Sequence, residues 1–266
     1  MRIIARSDRN AGYGNPESRV QNPTSHQDFR GLLTLLALAA LLSACAAQPE
    51  ARAPAPFSRA VDLSHVVHEN VPLRAGEPRP RLLRAPDGAV TRIELGSNTG
   101  SLLRVVAGPD AELTSVEHLS PRDLVLPAVV IDARDRAQDA PDFALSAADV
   151  RAWEQRYGSI PPGTLVLLAT GWDVRWGDPR AYLGADAGAP GFGPDAADLL
   201  LNQRGVAGLG VDAPGRLYAP ARGFALFLEN LTSLEQVPPT GATVVIGALK
   251  VQAASSAPAR VLALAP

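Results

Sequence analysis

Short, continuous runs of apolar residues recur along the second half of the chain, each bounded by polar or turn-forming residues. The clearest runs cover residues 127–132 (PAVVID), 164–169 (TLVLLA), 206–211 (VAGLGV), 242–251 (ATVVIGALKV) and 260–264 (RVLAL). Runs of this length that are rich in β-branched residues are typical of strands buried on both faces. We therefore expect five strands in this half, whereas the first part of the domain is more purely strand and loop.

Two segments between these runs carry the start and stop signals of helices. Ser146 suits an N-cap, Asp149 follows three residues later to complete a capping box, and Gly158 comes after the last turn. Pro194 suits the first position of a second helix, which Gly205 ends. The alternation of strands and helices predicts an α/β layered domain, with parallel strand pairs across the helical connections.

The N-terminal part has the pattern of a targeting signal. Residues 31–45 read GLLTLLALAALLSAC, an apolar run too short to span a bilayer and typical of the hydrophobic region of a signal peptide. The run ends in Leu-Ser-Ala-Cys, which resembles the bacterial lipobox, where an acylated cysteine becomes the new N-terminus. Cys45 is thus the predicted lipid attachment site. An ordinary signal peptide cleaved after a small residue is the alternative.

This prediction divides the chain and places it in the cell. We expect a targeting segment at 1–44, a lipidated Ala/Pro-rich tether at 45–57 and one globular domain at 58–266. Ala46 is not the aspartate of an inner-membrane retention signal, so we expect the outer membrane, with the domain facing the periplasm. The formal net charge of −2 gives no electrostatic reason to expect a nucleic-acid partner.

Several short motifs follow one another in order along the predicted domain. They are DLSH (62–65), NVP (70–72), GEP (76–78), PAVVID (127–132), TGW (170–172), WGDP (176–179), GVD (210–212) and ENLT (229–232). Together they resemble the cyclase family, which includes the bacterial kynurenine formamidases. The resemblance implies a swivelling β/β/α fold, a homo-oligomer, and a hydrolase of amide or ester bonds that depends on zinc or manganese.

The family's metal loop has the form H-x-G-T-H-x-D-x-P-x-H, and the resemblance places it on residues 98–108, NTGSLLRVVAG. Asn98, Leu102 and Arg104 stand where the family has its three metal ligands, and Gly108 stands where it has the catalytic base. An arginine about 4 Å from a cation costs on the order of 4 kcal/mol per unit charge at an effective dielectric constant near 20. We therefore predict that the family metal is lost and that the chain has no cofactor.

Glu229 is the one residue that still matches a family ligand, and one carboxylate does not make a metal site. We expect Arg104 to form an ion pair with Glu229 in place of the metal. As catalytic candidates we take Glu229 and Asp212, although a turn-capping role is open for Asp212. The candidate residues for binding a small carboxylate or aromatic ligand are Arg104, Asn98 and Trp172.

Three functions stay open from the sequence. The first is a lipid-anchored, non-catalytic family member that binds a small ligand or acts as a scaffold. The second is a working hydrolase of a formamide, lactone or ester that uses Glu229 or Asp212 without a metal. The third is a structural domain whose pocket is filled by Leu102, Leu103 and their neighbours. An acid/base pair in one pocket would indicate catalysis, and an open cavity with Arg104 unpaired would indicate binding.

Overall fold

The computed structural model describes residues 57–112, 115–184 and 188–266, which belong to one compact unit. The predicted targeting segment, Cys45 and the tether up to residue 56 lie outside the described residues. Among the described residues, no helix has the length and apolar composition of a transmembrane span.

The described residues contain twelve strands. In chain order they are β1 (Arg59–Asp62), β2 (Arg81–Arg84), β3 (Val90–Glu94), β4 (Leu102–Ala107), β5 (Val125–Asp132), β6 (Ala144–Leu145), β7 (Leu165–Ala169), β8 (Gly191–Phe192), β9 (Gly208–Val211), β10 (Phe224–Glu229), β11 (Ala242–Ala248) and β12 (Ser256–Ala265). All five apolar runs that predicted strands lie within or overlap a strand of the structure.

Eight of these strands form one mixed sheet in the order β1-β12-β11-β5-β7-β9-β10-β4. Strands β5, β7, β9 and β10 are parallel to one another. The predicted helices connect β5 to β7 and β7 to β9, whereas residues 212–223 connect β9 to β10 without a helix. The start of β12 also pairs with β4, so the sheet closes on itself into a barrel-like shape. Strands β2 and β3 form a separate hairpin, and β6 pairs with β8.

The helices cover one face of this sheet. They are α1 (Arg134–Asp139), α2 (Ala147–Tyr157), α3 (Pro179–Tyr182) and α4 (Pro194–Asp198), with α4 continuing as a π-helical turn over Leu199–Gln203. The predicted capping box at the start of α2 is present: the Ser146 amide donates to the Asp149 carboxylate at 2.8 Å, and the Asp149 amide donates to the Ser146 hydroxyl. Pro194 opens α4, as its position in the sequence predicted.

Alternate residues of the central strands enter two hydrophobic cores. In β5, Val129 and Ile131 face the helices, while Ala128 and Val130 face the interior of the barrel. Every residue of β7 is buried for the same reason. Burial on both faces explains the continuous apolar runs, because neither face of these strands meets water. The fold is therefore the mixed α/β domain that the sequence predicted.

Candidate functional site

Strands β4 and β10 bring the degenerate metal loop to the family's glutamate. The two strands are antiparallel, with Leu102 opposite Glu229 and Arg104 opposite Phe227. Residues opposite one another in such a pair share a face, and diagonal neighbours on that face lie within reach of long side chains. Arg104 and Glu229 are diagonal neighbours of this kind, so their pairing follows from the strand register.

Glu229 is buried and both of its carboxylate oxygens are bound by arginines. Arg104 Nε donates to Oε1, and Arg74 Nη2 donates to Oε2 at 2.8 Å. The Arg74 guanidinium also donates to the Gly215 carbonyl at 2.8 Å. The expected ion pair between Arg104 and Glu229 is confirmed. Arg74 was missed because it lies between two family-like motifs without being part of either.

The side chains around Glu229 do not suit a zinc or manganese ion. The Asn98 amide nitrogen donates to the Glu77 carboxylate, and the Asn98 oxygen accepts from Ser256 Oγ at 2.7 Å. Leu102 is buried and offers no ligand atom. Within the described residues, no three His, Cys, Asp or Glu side chains come together as a metal site would require. The charges that face Glu229 are those of Arg104 and Arg74.

The cavity in front of Glu229 is nearly closed. Its volume is about 20 Å³, and it is lined by Arg74, Asn98, Leu102, Tyr182 and Pro214 among others. A volume of this size holds about one water molecule. The arginines and Leu102 therefore leave no room in front of Glu229 for a metal ion together with a substrate.

The position of the family's catalytic base is closed by backbone. A Cβ atom added to Gly108 would lie 2.6 Å from the carbonyl oxygen of Pro220 and 3.0 Å from that of Gly223. The Gly108 amide donates to the same Gly223 carbonyl at 2.7 Å. A histidine at residue 108 would require the two segments to move apart, so the loss of the base is built into the backbone.

Asp212 lies apart from this cavity and holds a turn together. Its buried carboxylate accepts from the Thr170 amide at 2.8 Å, from the Thr170 hydroxyl, and from the Gly171 amide at 2.7 Å. Burial raises the pKa of Asp212 to about 7, although these hydrogen bonds act in the opposite direction. Both carboxylate oxygens of Asp212 thus accept hydrogen bonds from the turn that follows β7. This geometry agrees with the turn-capping role that the sequence left open for Asp212.

The structure does not bring Trp172 to the Glu229 cavity. The indole ring is buried, its Nε1 donates to the Tyr182 carbonyl at 2.7 Å, and the Arg175 guanidinium lies 3.9 Å from the ring centroid. Of the residues predicted for the site, Glu229, Arg104 and Asn98 come together, whereas Asp212 and Trp172 do not.

A buried polar network that the sequence did not suggest fixes the turn before β4. Tyr182 donates its hydroxyl proton to Asn230 Oδ1 at 3.0 Å, and Asn230 Nδ2 donates to the Gly100 carbonyl at 2.8 Å. Ser101 Oγ donates to the Asn230 carbonyl. Asn230 has a φ of 57°, a left-handed conformation that asparagine tolerates better than most residues. The turn at residues 98–101, in the loop that resembles the family's metal loop, is therefore held by Tyr182 at the end of α3 and by Asn230 directly after β10.

A barrel-like mixed α/β domain with a loop of this form beside a strand-end glutamate has the architecture of a hydrolase family. Residues 61–216 match the family model described as "Putative cyclase", and the chain belongs to this family. This confirms the resemblance seen in the sequence.

The chain is similar to isatin hydrolases in sequence and in structure. It is 33 % identical to isatin hydrolase from Roseibium aggregatum over an alignment of 177 residues. This alignment covers 60 % of this chain and 67 % of that protein. Isatin hydrolase A from Ralstonia solanacearum aligns with a TM-score of 0.67 and 26 % identity over 94 % of this chain and all of the other. An isatin hydrolase bound to the product analogue thioisatinate aligns with a TM-score of 0.70 and 27 % identity, over 91 % and 100 %.

Proposed function

We propose that this protein is a non-catalytic member of the cyclase family that serves as a scaffold. The observation that carries the proposal is that Arg104 and Arg74 each form an ion pair with Glu229. Glu229 is the one residue that still matches a metal ligand of the family. An ion pair in place of the metal–carboxylate bond satisfies a buried carboxylate and leaves neither of its oxygens unpaired.

The closed cavity supports a scaffold rather than a ligand-binding role. Pockets for small molecules have volumes of roughly 300–1,000 Å³, whereas the space in front of Glu229 is about 20 Å³. The positive charge of Arg104 is already compensated by Glu229, which weakens its attraction for an anionic ligand. Binding of a small carboxylate or aromatic ligand at Arg104 would require the cavity to open.

A working hydrolase is the second candidate, and the relatives favour it. The relatives are isatin hydrolases, and the chain shares their fold and family. In this alternative a formamide, lactone or ester would be hydrolysed with Glu229 as the general base, after its release from the two arginines. Asp212 is less suited to that role because its oxygens hold the turn after β7.

Metal content and hydrolysis, measured together, distinguish the two candidates. The full chain, purified in a mild detergent and incubated with zinc and manganese, is analysed by mass spectrometry for bound metal and assayed with isatin and N-formylkynurenine. We expect metal well below one equivalent and no turnover above that of a Glu229→Gln control. Near-stoichiometric metal, or turnover that Glu229→Gln abolishes, would contradict the proposal.

We also propose that a lipid on Cys45 anchors the protein in the cell envelope, at the outer membrane with the domain facing the periplasm. The lipobox-like sequence before Cys45 supports this. The residues between Cys45 and β1 reach at most about 50 Å when extended, which keeps the domain close to the bilayer. Metabolic labelling with an alkyne fatty acid should mark the wild-type chain and not Cys45→Ala. Equal labelling of both would overturn the anchor.

A further inference from the structure

Two clefts of ligand size open beside α1, away from the Glu229 cavity. The first has a volume of about 490 Å³ and lies between β5, α1 and α2. The second has a volume of about 510 Å³ and lies between α1 and residues 170–175, the turn after β7, and we call it the β7 cleft. Pockets that hold small molecules have volumes of roughly 300–1,000 Å³. In the described structure, no residue that lines either cleft also lines the Glu229 cavity.

The balance of charge separates the two clefts. The first is lined by equal numbers of arginines and aspartates, which are Arg134, Arg136, Arg156, Asp132, Asp135 and Asp149. The β7 cleft is lined by two arginines, Arg134 and Arg175, against one aspartate, Asp135. An anion would therefore meet no net charge in the first cleft and an excess of positive charge in the β7 cleft.

Arg175 is held in place by an aromatic ring and not by a carboxylate. Its guanidinium carbon lies 3.9 Å from the centroid of the Trp172 ring, and Trp172 is itself fixed by the hydrogen bond from its Nε1 to the Tyr182 carbonyl. Asp173, two positions away in the chain, accepts instead from the Thr232 hydroxyl at 2.7 Å. The ion pairs of the described residues do not include Arg175. A guanidinium stacked in this way keeps its hydrogen-bond donors and its charge for a further partner.

Arg134 forms the α1 side of the β7 cleft and is also held in one position. Asp132 accepts from its Nε at 2.9 Å and from its Nη2 at 2.7 Å. The stem of Arg134 lies against the turn after β7, since a Cβ atom added to Gly171 would lie 3.5 Å from its Cγ. Asp132 compensates part of the charge of Arg134, whereas the remaining nitrogen, Nη1, forms no hydrogen bond in the described part of the chain. Arg134 therefore offers a positioned donor, and Arg175 offers the uncompensated charge.

We propose that the β7 cleft binds a small aromatic carboxylate, with Arg175 as the partner of its negative charge. Arginine and carboxylate form charge-assisted hydrogen bonds, which are stronger than those between neutral groups. A guanidinium also stacks on flat rings, and Trp172 covers one of the two faces of Arg175, so the other face favours an aromatic body. Val174, which is 83 % exposed at the rim, adds an apolar contact. Trp172 thus contributes to a ligand site as the sequence suggested, but through Arg175 and away from Glu229.

The charge of the β7 cleft favours a single carboxylate over a phosphate or a polyanion. Two arginines against Asp135 leave an excess of one positive charge, and Asp135 repels a second negative charge on the ligand. The inference goes beyond the scaffold role, and it holds whether or not the Glu229 site hydrolyses a substrate.

Titration of the full chain in a mild non-ionic detergent tests the site, with benzoate as the probe and benzyl alcohol as its neutral counterpart. Binding is followed by saturation-transfer NMR and calorimetry. We expect benzoate to bind with a dissociation constant of about 1 mM or lower, and Arg175→Ala to weaken binding at least about tenfold. The matched control is Arg156→Ala, because Arg156 also lies over an aromatic ring, 5.1 Å from the centroid of Tyr157, but lines the first cleft. This variant should bind benzoate as the wild type does.

A change of charge at the rim provides a second readout that leaves the stacked pair intact. Val174 is exposed, so its replacement should not unfold the domain. Val174→Asp should weaken benzoate binding and Val174→Lys should strengthen it. Absence of benzoate binding, equal binding of benzyl alcohol, tighter binding of inorganic phosphate, or equal losses from Arg175→Ala and Arg156→Ala would each overturn the proposal. Weaker binding in Arg104→Met with no change in Arg175→Ala would also overturn it, because it would assign the ligand to the Glu229 cavity.

Discussion

Replacing Arg104 by methionine tests whether an ion pair has taken the structural place of the metal. Methionine keeps most of the volume of the arginine stem and removes its charge. The Arg104 side chain is 15 % exposed and that of Glu229 is 3 % exposed, so the variant leaves a buried carboxylate with Arg74 as its only cationic partner in the described structure. Removing one partner of a buried ion pair costs about 3–5 kcal/mol.

The neighbouring arginine sets the expected size of the effect. Arg74 still donates to Glu229 at 2.8 Å, but its side chain is 44 % exposed and its charge is screened by solvent. We therefore expect Arg104→Met to lower the free energy of unfolding by about 3 kcal/mol, at the lower end of that range. Arg74→Met, the matched control, should cost about 1 kcal/mol or less. We therefore expect Arg104, the buried partner, to compensate most of the charge of the Glu229 carboxylate.

Urea unfolding followed by tryptophan fluorescence measures these differences, because Trp153, Trp172 and Trp176 are all buried and report on the core. The double variant Arg104→Met/Glu229→Met completes the cycle. Removing both charges of a buried pair is often neutral, so we expect it to be within about 1 kcal/mol of wild type. An Arg104→Met variant within about 0.5 kcal/mol of wild type would refute the reasoning.

Three further predictions test the turn after β7, the closed base position and the α2 cap. The raised pKa of Asp212, about 7 against an ordinary 3.8, means that the folded state holds a proton that the unfolded state has lost. The Asp212 contribution to stability should therefore fall by up to about 1.4 kcal/mol per pH unit as pH rises from about 4 to 7. Burial lowers the pKa of His65, which makes stability rise with pH and so opposes the effect of Asp212. The measurement is therefore the difference in the free energy of unfolding between wild type and Asp212→Asn as a function of pH. The same pH dependence in both proteins would contradict the assignment. Gly108→Ala should cost about 1–3 kcal/mol, whereas Gly177→Ala, with open space at its Cβ, should be nearly neutral in the same urea assay. Ser146→Ala should cost about 1 kcal/mol through loss of the helix cap, and an unchanged melting temperature would show that the capping box contributes little.

Much of the fold could be predicted because its signals are local. The central strands are buried on both faces, so their residues are continuously apolar, and the cap of α2 involves residues three positions apart. The sequence also predicted the pairing of Arg104 with Glu229, through positions carried over from the family motif. In each case a short stretch, or a motif of known spacing, contained the information.

The tertiary structure decided what depends on segments distant in the chain. Arg74 lies 155 positions from Glu229, and no local pattern indicates that its guanidinium reaches the second carboxylate oxygen. The pairing of β4 with the start of β12 closes the barrel, and the approach of Pro220 to Gly108 closes the base position. Sequence determines which residues avoid water and how each turn begins. Which charges meet and how much space is left between them depends on packing, because a difference of a few ångströms separates an open metal site from a closed ion pair.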